Sequence, residues 1–185
     1  MKYCSRRVVL MLTVLLTCQL SWAGMDNKEL AIARKVMNES GVNAISSIQQ
    51  VQQRYPGVIY DYELDDDDDD YYHEIKLIDL DADVKRKIVI SAQNGTVVKE
   101  EQENLYSWFI EDDSVTAVKK LQALQYSMLT AIELVDPSEG ALVVDIELEY
   151  KQGVVYFEIE TDGPQGEQEI LVDAKTRSVI PVYQR

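Results

Sequence analysis

The chain has 185 residues, 46% of them hydrophobic, and a formal net charge of −15. That length suits one domain of moderate size or two small ones, and two small halves would each bury too little surface to be stable alone, so they are expected to pack together or on partners. The acidity excludes nucleic acid and anionic lipid surfaces as natural partners and favours cations and basic protein surfaces.

Residues 1–23 are expected to be a signal peptide. Lys2, Arg6 and Arg7 precede a mostly apolar run from Val8 to Leu20, and Ser21-Trp22-Ala23 supplies small residues at the two positions that define cleavage, between Ala23 and Gly24. The run is shorter than the roughly 20 residues needed to span a bilayer. A lipoprotein reading through Leu15-Leu16-Thr17-Cys18 is the alternative, weakened by the bulk of Thr17 before the cysteine. Removing the leader takes the net charge from −15 to −18 and removes both cysteines, Cys4 and Cys18, which leaves neither disulfide nor thiol chemistry. The remaining protein is expected in the periplasm or outside the cell, with no membrane insertion.

Asp26 to Glu39 has a helical stripe of Leu30, Ile32, Ala33, Val36 and Met37, opened by a capping-box pair, Asp26 and Glu29, and closed by Ser40-Gly41. A second helix carries Ile45, Ile48 and Val51 on one face and stops at Tyr55-Pro56-Gly57. Val58 to Leu64 alternates as a strand. Asp65, Asp66, Asp67, Asp68, Asp69 and Asp70 form an acidic run read as a solvated loop. Tyr71 to Ile78 is a second strand, Asp79 to Asp83 an acidic turn and Lys87 to Ala92 a third strand. Asn94-Gly95 signals a two-residue hairpin into a short fourth strand, Thr96 to Lys99. Glu100 to Asp113 then connects two halves and holds the apolar cluster Leu105, Trp108, Phe109 and Ile110. Ser114 is expected to cap the next helix, with Val115, Val118, Leu121, Ala123 and Leu124 on its apolar positions.

The rest of the chain matches the first part at a fixed offset. Leu129, Ile132 and Val135 lie 84 residues after Ile45, Ile48 and Val51. Leu142, Val144, Ile146 and Leu148 match Val58, Tyr60, Tyr62 and Leu64, while Val155, Phe157 and Ile159 match Tyr71, His73 and Ile75. Ile170, Val172 and Ala174 match Ile88, Ile90 and Ala92 at an offset of 82. Both periodicities survive the comparison. The expected fold class is α+β: two tandem repeats, each a helix or helix pair packed on one face of a small antiparallel sheet. The expected units are residues 26–100 and 114–183, joined by a linker at 101–113.

Val172-Asp173-Ala174-Lys175-Thr176-Arg177-Ser178-Val179 resembles the closing signature of PepSY domains, roughly V-D-A-x-T-G-x-V, and Tyr156-Phe157-Glu158-Ile159 fits the strand before it. The first-half counterparts are Ser91-Ala92-Gln93-Asn94-Gly95-Thr96-Val97 and Tyr72-His73-Glu74-Ile75. Arg177 replaces the usual glycine and Ser91 the usual aspartate. If the turn needs a positive φ, Arg177 costs about 1 kcal/mol there, so a different turn type is expected. The resemblance implies a non-catalytic binding role, since such domains occur in propeptides that restrain secreted metallopeptidases, and it transfers no catalytic residue and no cofactor.

The residues themselves also argue against an enzyme, because no cysteine and a single histidine make a nucleophile, base and orienter hard to assemble. His73 reads as a structural residue at a sheet edge, with a metal or catalytic role as the alternative. The aspartate run reads as a solvated loop, a weak divalent-cation attractor or a docking patch for a basic partner. No calcium loop fits: Asp79, Asp81 and Asp83 have the right spacing, but Val84 and Ile90 stand where glycine and glutamate are required. Tyr55, Tyr60, Tyr62, Tyr71 and Tyr72 are packing residues or an aromatic interaction surface. Val89 and Leu171 point away from the expected core, so that face should be covered by the other repeat or by a partner. Val89, Leu171, Tyr71 and Tyr72 are therefore the candidate partner-binding residues. The expected partner is an exported peptidase or, alternatively, a receptor ectodomain such as that of a histidine kinase. A third reading is an acidic cation-binding envelope protein.

Overall fold

In the computed structural model, residues 25–67, 70–105, 113–137 and 140–182 are described. The signal segment with Ala23 and Gly24, the central Asp68 and Asp69, and Trp108, Phe109 and Ile110 lie outside them. Among the described residues no helix is long and apolar enough to cross a membrane.

Helix α1 (Asn27–Ser40) starts where expected. Asp26 accepts from the backbone of Lys28 and Glu29 while Glu29 reaches back to the Asp26 amide, and Gly41 closes the helix in the left-handed conformation that glycine adopts without strain. Its buried stripe is Leu30, Ala33 and Met37, whereas Ile32 faces solvent. Helix α2 (Ala44–Arg54) is capped by Asn43 and buries Ile48 and Val51. Gly57 then admits the chain into the sheet: a Cβ there would lie 2.7 Å from the Ile78 carbonyl oxygen, so only glycine fits.

Strands β1 (Val58–Asp67), β2 (Asp70–Asp79), β3 (Val84–Ser91) and β4 (Val97–Asn104) follow as antiparallel neighbours. Asp65, Asp66, Asp67 and Asp70 are thus strand residues, not loop. β1 runs on to Asp67 and β2 begins at Asp70, because Asp65 and Asp66 stay in register with Tyr72 and Tyr71, and strand pairing outweighs local charge. Likewise β4 extends to Asn104, so residues 101–104 of the expected linker are strand, and Leu105 is buried with its amide donating to Asp83.

Helices α3 (Asp113–Leu124) and α4 (Met128–Val135) and strands β5 (Leu142–Lys151), β6 (Val154–Gly163), β7 (Gly166–Asp173) and β8 (Ser178–Ile180) repeat that element order. α3 includes Ser114 within its first turn rather than starting after it, and Ser127 caps α4.

The eight strands among the described residues form one antiparallel sheet, ordered β4-β3-β2-β1-β5-β6-β7-β8. Two separate small sheets were expected. They are fused through β1 and β5, paired over Asp61–Glu63 with Glu147–Asp145. One hydrophobic core joins all four helices to a single sheet face, through Tyr62, Leu64, Ile75, Ile88, Ile146, Phe157, Ile159 and Val172. Arg34 of α1 ties the halves outside that core. Its guanidinium donates to the Gly140 carbonyl at 2.8 Å and to the Asp162 carboxylate at 2.5 Å.

The hairpin from β3 to β4 is not the two-residue turn expected. Only Gly95 has a positive φ, and its amide donates to Ser91 O at 2.9 Å. The β7–β8 hairpin has the same form: Arg177 sits at φ 55°, and its amide donates to Asp173 O at 2.8 Å. The turn type therefore survives the loss of glycine. Asp173 holds it by accepting from the Lys175 and Thr176 amides, and Ser91 makes the weaker equivalent bond to Gln93.

Candidate functional site

The sheet has a second face, opposite the core. Because side chains alternate, residues one position off the core set share it on every strand. On β1 these are Asp61, Glu63 and Asp65; on β5, Asp145, Glu147 and Glu149; on β6, Tyr156, Glu158 and Glu160; on β7, Glu167, Glu169 and Leu171. Register puts carboxylates directly opposite one another. Glu63 faces Asp145, Asp61 faces Glu147, Asp145 faces Glu160, Glu147 faces Glu158, and Glu160 faces Glu169. Like charges in such positions destabilise a sheet unless something neutralises them. Burial, reinforced by Glu147, Asp61, Glu160 and Glu63, pushes the Asp145 carboxyl up to about 8. Burial and neighbouring carboxylates also raise Glu147, Glu158 and Glu63.

The first half of the same face is balanced instead. Lys76 lies 3.1 Å from Asp61 and 3.5 Å from Glu74, Lys87 pairs with Glu74, and Lys99 lies 2.9 Å from Glu101. Burial alone would lower Lys76, but Asp61 and Glu74 outweigh it and raise its pKa.

Among the described residues an open groove lies beside a β-bulge in each half. The bulges fall at matched residues, Tyr60 in β1 and Val144 in β5. The first groove, about 830 Å³, is lined by Tyr60, Asp61, Lys76, Lys85, Arg86 and Lys87, with Glu101 and Glu103 from β4. The second, about 900 Å³, is lined by Val144, Asp145, Glu160, Glu167, Gln168 and Glu169, with Glu63 and Asp65 from β1. Those first six residues match one for one at the offsets of 84 and 82 seen in the sequence. At four of the six places a cation has become an acid or amide, and among the described residues no lysine or arginine lines the second groove.

The residues singled out by sequence scatter across this frame. Val89 and Leu171 both lie half-buried on the open face. Neither is covered by the other half, because a single sheet places both on one side. Tyr72 is on that face, between Asp65 and Ser91. Tyr71 is not: it is buried in the core and its hydroxyl donates to the Glu29 carbonyl at 3.0 Å, so it offers no surface to a partner. Tyr60 and Tyr62 are also buried, and Tyr55 donates to Glu100 at 2.8 Å.

His73 is not at an edge. It lies on the interior strand β2, fully buried, with Nδ1 3.0 Å from the Tyr62 hydroxyl. Burial lowers its pKa to about 4, so the imidazole is neutral near pH 7, and burial raises the Tyr62 hydroxyl well above its ordinary value. The pair is a structural hydrogen bond in the core.

Asp65, Asp66 and Asp67 are exposed at the end of β1, and Asp70 accepts from Gln93 at 2.5 Å. Among the described residues no group of three or more histidine, cysteine or carboxylate side chains is arranged to hold a metal ion. The Asp79 carboxylate accepts from the amides of Asp81 and Ala82, a turn-stabilising role.

Sequence reasoning missed the carboxylate ladder. Its signal was there: acids at every second residue of β1, β5, β6 and β7. The contiguous aspartate run is the stronger local pattern, and only the register shows that the alternating sets meet.

Comparison with known proteins bears on the first half. The family model of PepSY, described as peptidase propeptide and YPEB domain, matches residues 48–101. No curated protein matches the chain. A solved structure from Clostridium difficile 630, described as that of a candidate lipoprotein, is 22% identical, with a TM-score of 0.46 over 77% of this chain and 92% of its own. From Ile48 in α2 to Glu101 in β4, across the strands that build the balanced half of the open face, the chain therefore matches the PepSY domain.

Proposed function

We propose that the protein is a non-catalytic, exported binding protein, built from two copies of the PepSY-like unit, that restrains or regulates a secreted or envelope peptidase. The observation that carries this is the open sheet face. Its second half is densely acidic, and so suits a basic protein surface rather than a small substrate. The family's description as a peptidase propeptide domain directs the choice of partner. The matched order of elements, bulges and grooves supports the two-copy reading. The test is a titration of the purified protein against exported metallopeptidases of the same organism. Stoichiometric loss of proteolysis that weakens from low to moderate salt is the expected result. Tight binding to a receptor ectodomain with proteolysis untouched would overturn the peptidase reading in favour of sensing.

A further inference from the structure

The two outer edges of the sheet are finished differently. β4 pairs with β3 from Val84 to Ile90, with complementary charge at two places: Glu103 faces Lys85 and Glu101 faces Lys87. β8 is the matching strand in the second half, but it pairs only with Leu171, Val172 and Asp173 of β7. It stops at Ile180, before Pro181, whose ring nitrogen cannot donate to a ladder. Among the described residues nothing pairs with the outer edge of β7 from Gly166 to Ile170. That edge is about 17 Å of backbone with free donors and acceptors. On the open face it displays Glu167 and Glu169, at the positions where β3 has Lys85 and Lys87.

We propose that this edge receives an extended segment of a partner protein by strand addition, and that the segment carries lysine or arginine at two alternate positions, i and i+2. The inference rests on the binding reading above and names its surface. The first half is its template. There β4 sets two acids, Glu101 and Glu103, opposite two lysines; on β7 the two acids are already in the sheet, so the complement is a strand with two cations. The neighbouring groove adds Glu160 and Asp145 to the same field. A second copy of this chain is the wrong occupant. Two β7 edges paired antiparallel would bring Glu167 and Glu169 against their own counterparts, which is how proteins keep exposed edges from self-pairing.

The test uses three ten-residue peptides of one sequence: one with lysine at two alternate positions, one with glutamate there, and the lysine peptide N-methylated along one backbone edge. The lysine peptide should bind at least tenfold more tightly than the glutamate peptide and slow amide exchange across Gly166–Ile170. Glu167→Lys with Glu169→Lys should reverse the order, and circular dichroism and Tm check that this variant is folded. N-methylation should abolish binding. An N-methylated peptide that binds as well as its parent would overturn the proposal, since attraction would then need no strand pairing, and so would an unreversed order. A dimer by sedimentation that the double variant dissolves would assign the edge to a second copy. A tenfold gain in peptide affinity on ending the chain at Val182 would assign it to the protein's own last residues. Either result overturns the partner assignment. The two readings fail separately: peptide binding without peptidase inhibition sinks only the peptidase reading, and inhibition that survives the double variant removes this edge as the restraining surface.

Discussion

On one sheet face the first half sets lysines among its carboxylates, while the second half sets carboxylates against carboxylates. The backbone beneath is matched, down to bulges at Tyr60 and Val144. Side-chain charge on an outward face is therefore free of the fold's demands, and the second half keeps an arrangement that costs stability. Residues that destabilise a fold without helping it pack are where binding is to be sought.

The comparison can be broken most severely at the seam. Tyr62 faces Ile146 in the short β1–β5 pairing and is fully buried. Tyr62→Ala should cost about 3–5 kcal/mol in denaturant unfolding, as for other large aromatic truncations in cores. Next in size is a pH effect peculiar to the first half, because the position of His73 is held by Phe157 in the second. The folded pKa of His73 is lowered to about 4 from 6.5, so the unfolded chain binds the extra proton between those values. Its contribution is complete above pH 6.5 and is lost as pH falls toward 4, about 3 kcal/mol in all. His73→Phe should flatten that part of the stability profile.

Asp145 acts in the opposite sense. Its folded pKa is raised to about 8, so the folded state holds a proton that the unfolded state releases, and stability is lost as pH rises from about 4 through 8. Asp145→Asn should raise stability by about 1–2 kcal/mol at pH 8, after allowance for solvent screening. The matched Asp61→Asn should stay within about 0.5 kcal/mol of the parent, since relieving a buried carboxylate is offset by depriving Lys76 of its partner. Equal gains at both positions would erase the contrast between the halves. The smallest effect compares the hairpins: Arg177→Gly should add about 1 kcal/mol by relieving a left-handed non-glycine residue, and Gly95→Arg should cost about as much.

Much of this was legible in the sequence. The capping box at Asp26 and Glu29, the strand alternation and the matched core positions are local signals, and each led to its element. Three features were not legible. The fusion through Asp61–Glu63 depends on residues about 84 apart, and no local pattern encodes which strand meets which. The aspartates of β1 and β2 looked too charged for strands, but ladder hydrogen bonds do not depend on side-chain charge. His73 reads as an edge residue in the sequence because the order of its strand's neighbours is not encoded locally.

β1 ends as an interior strand, yet while the chain emerges its β5 neighbour has not been made. Until then β1 is a bare border of the first half, and its outward residues Asp61, Glu63, Asp65 and Asp67 are all acidic. Asp61 and Glu63, the carboxylates that later face β5, stand on that border, where like charge disfavours pairing with stray acidic strands.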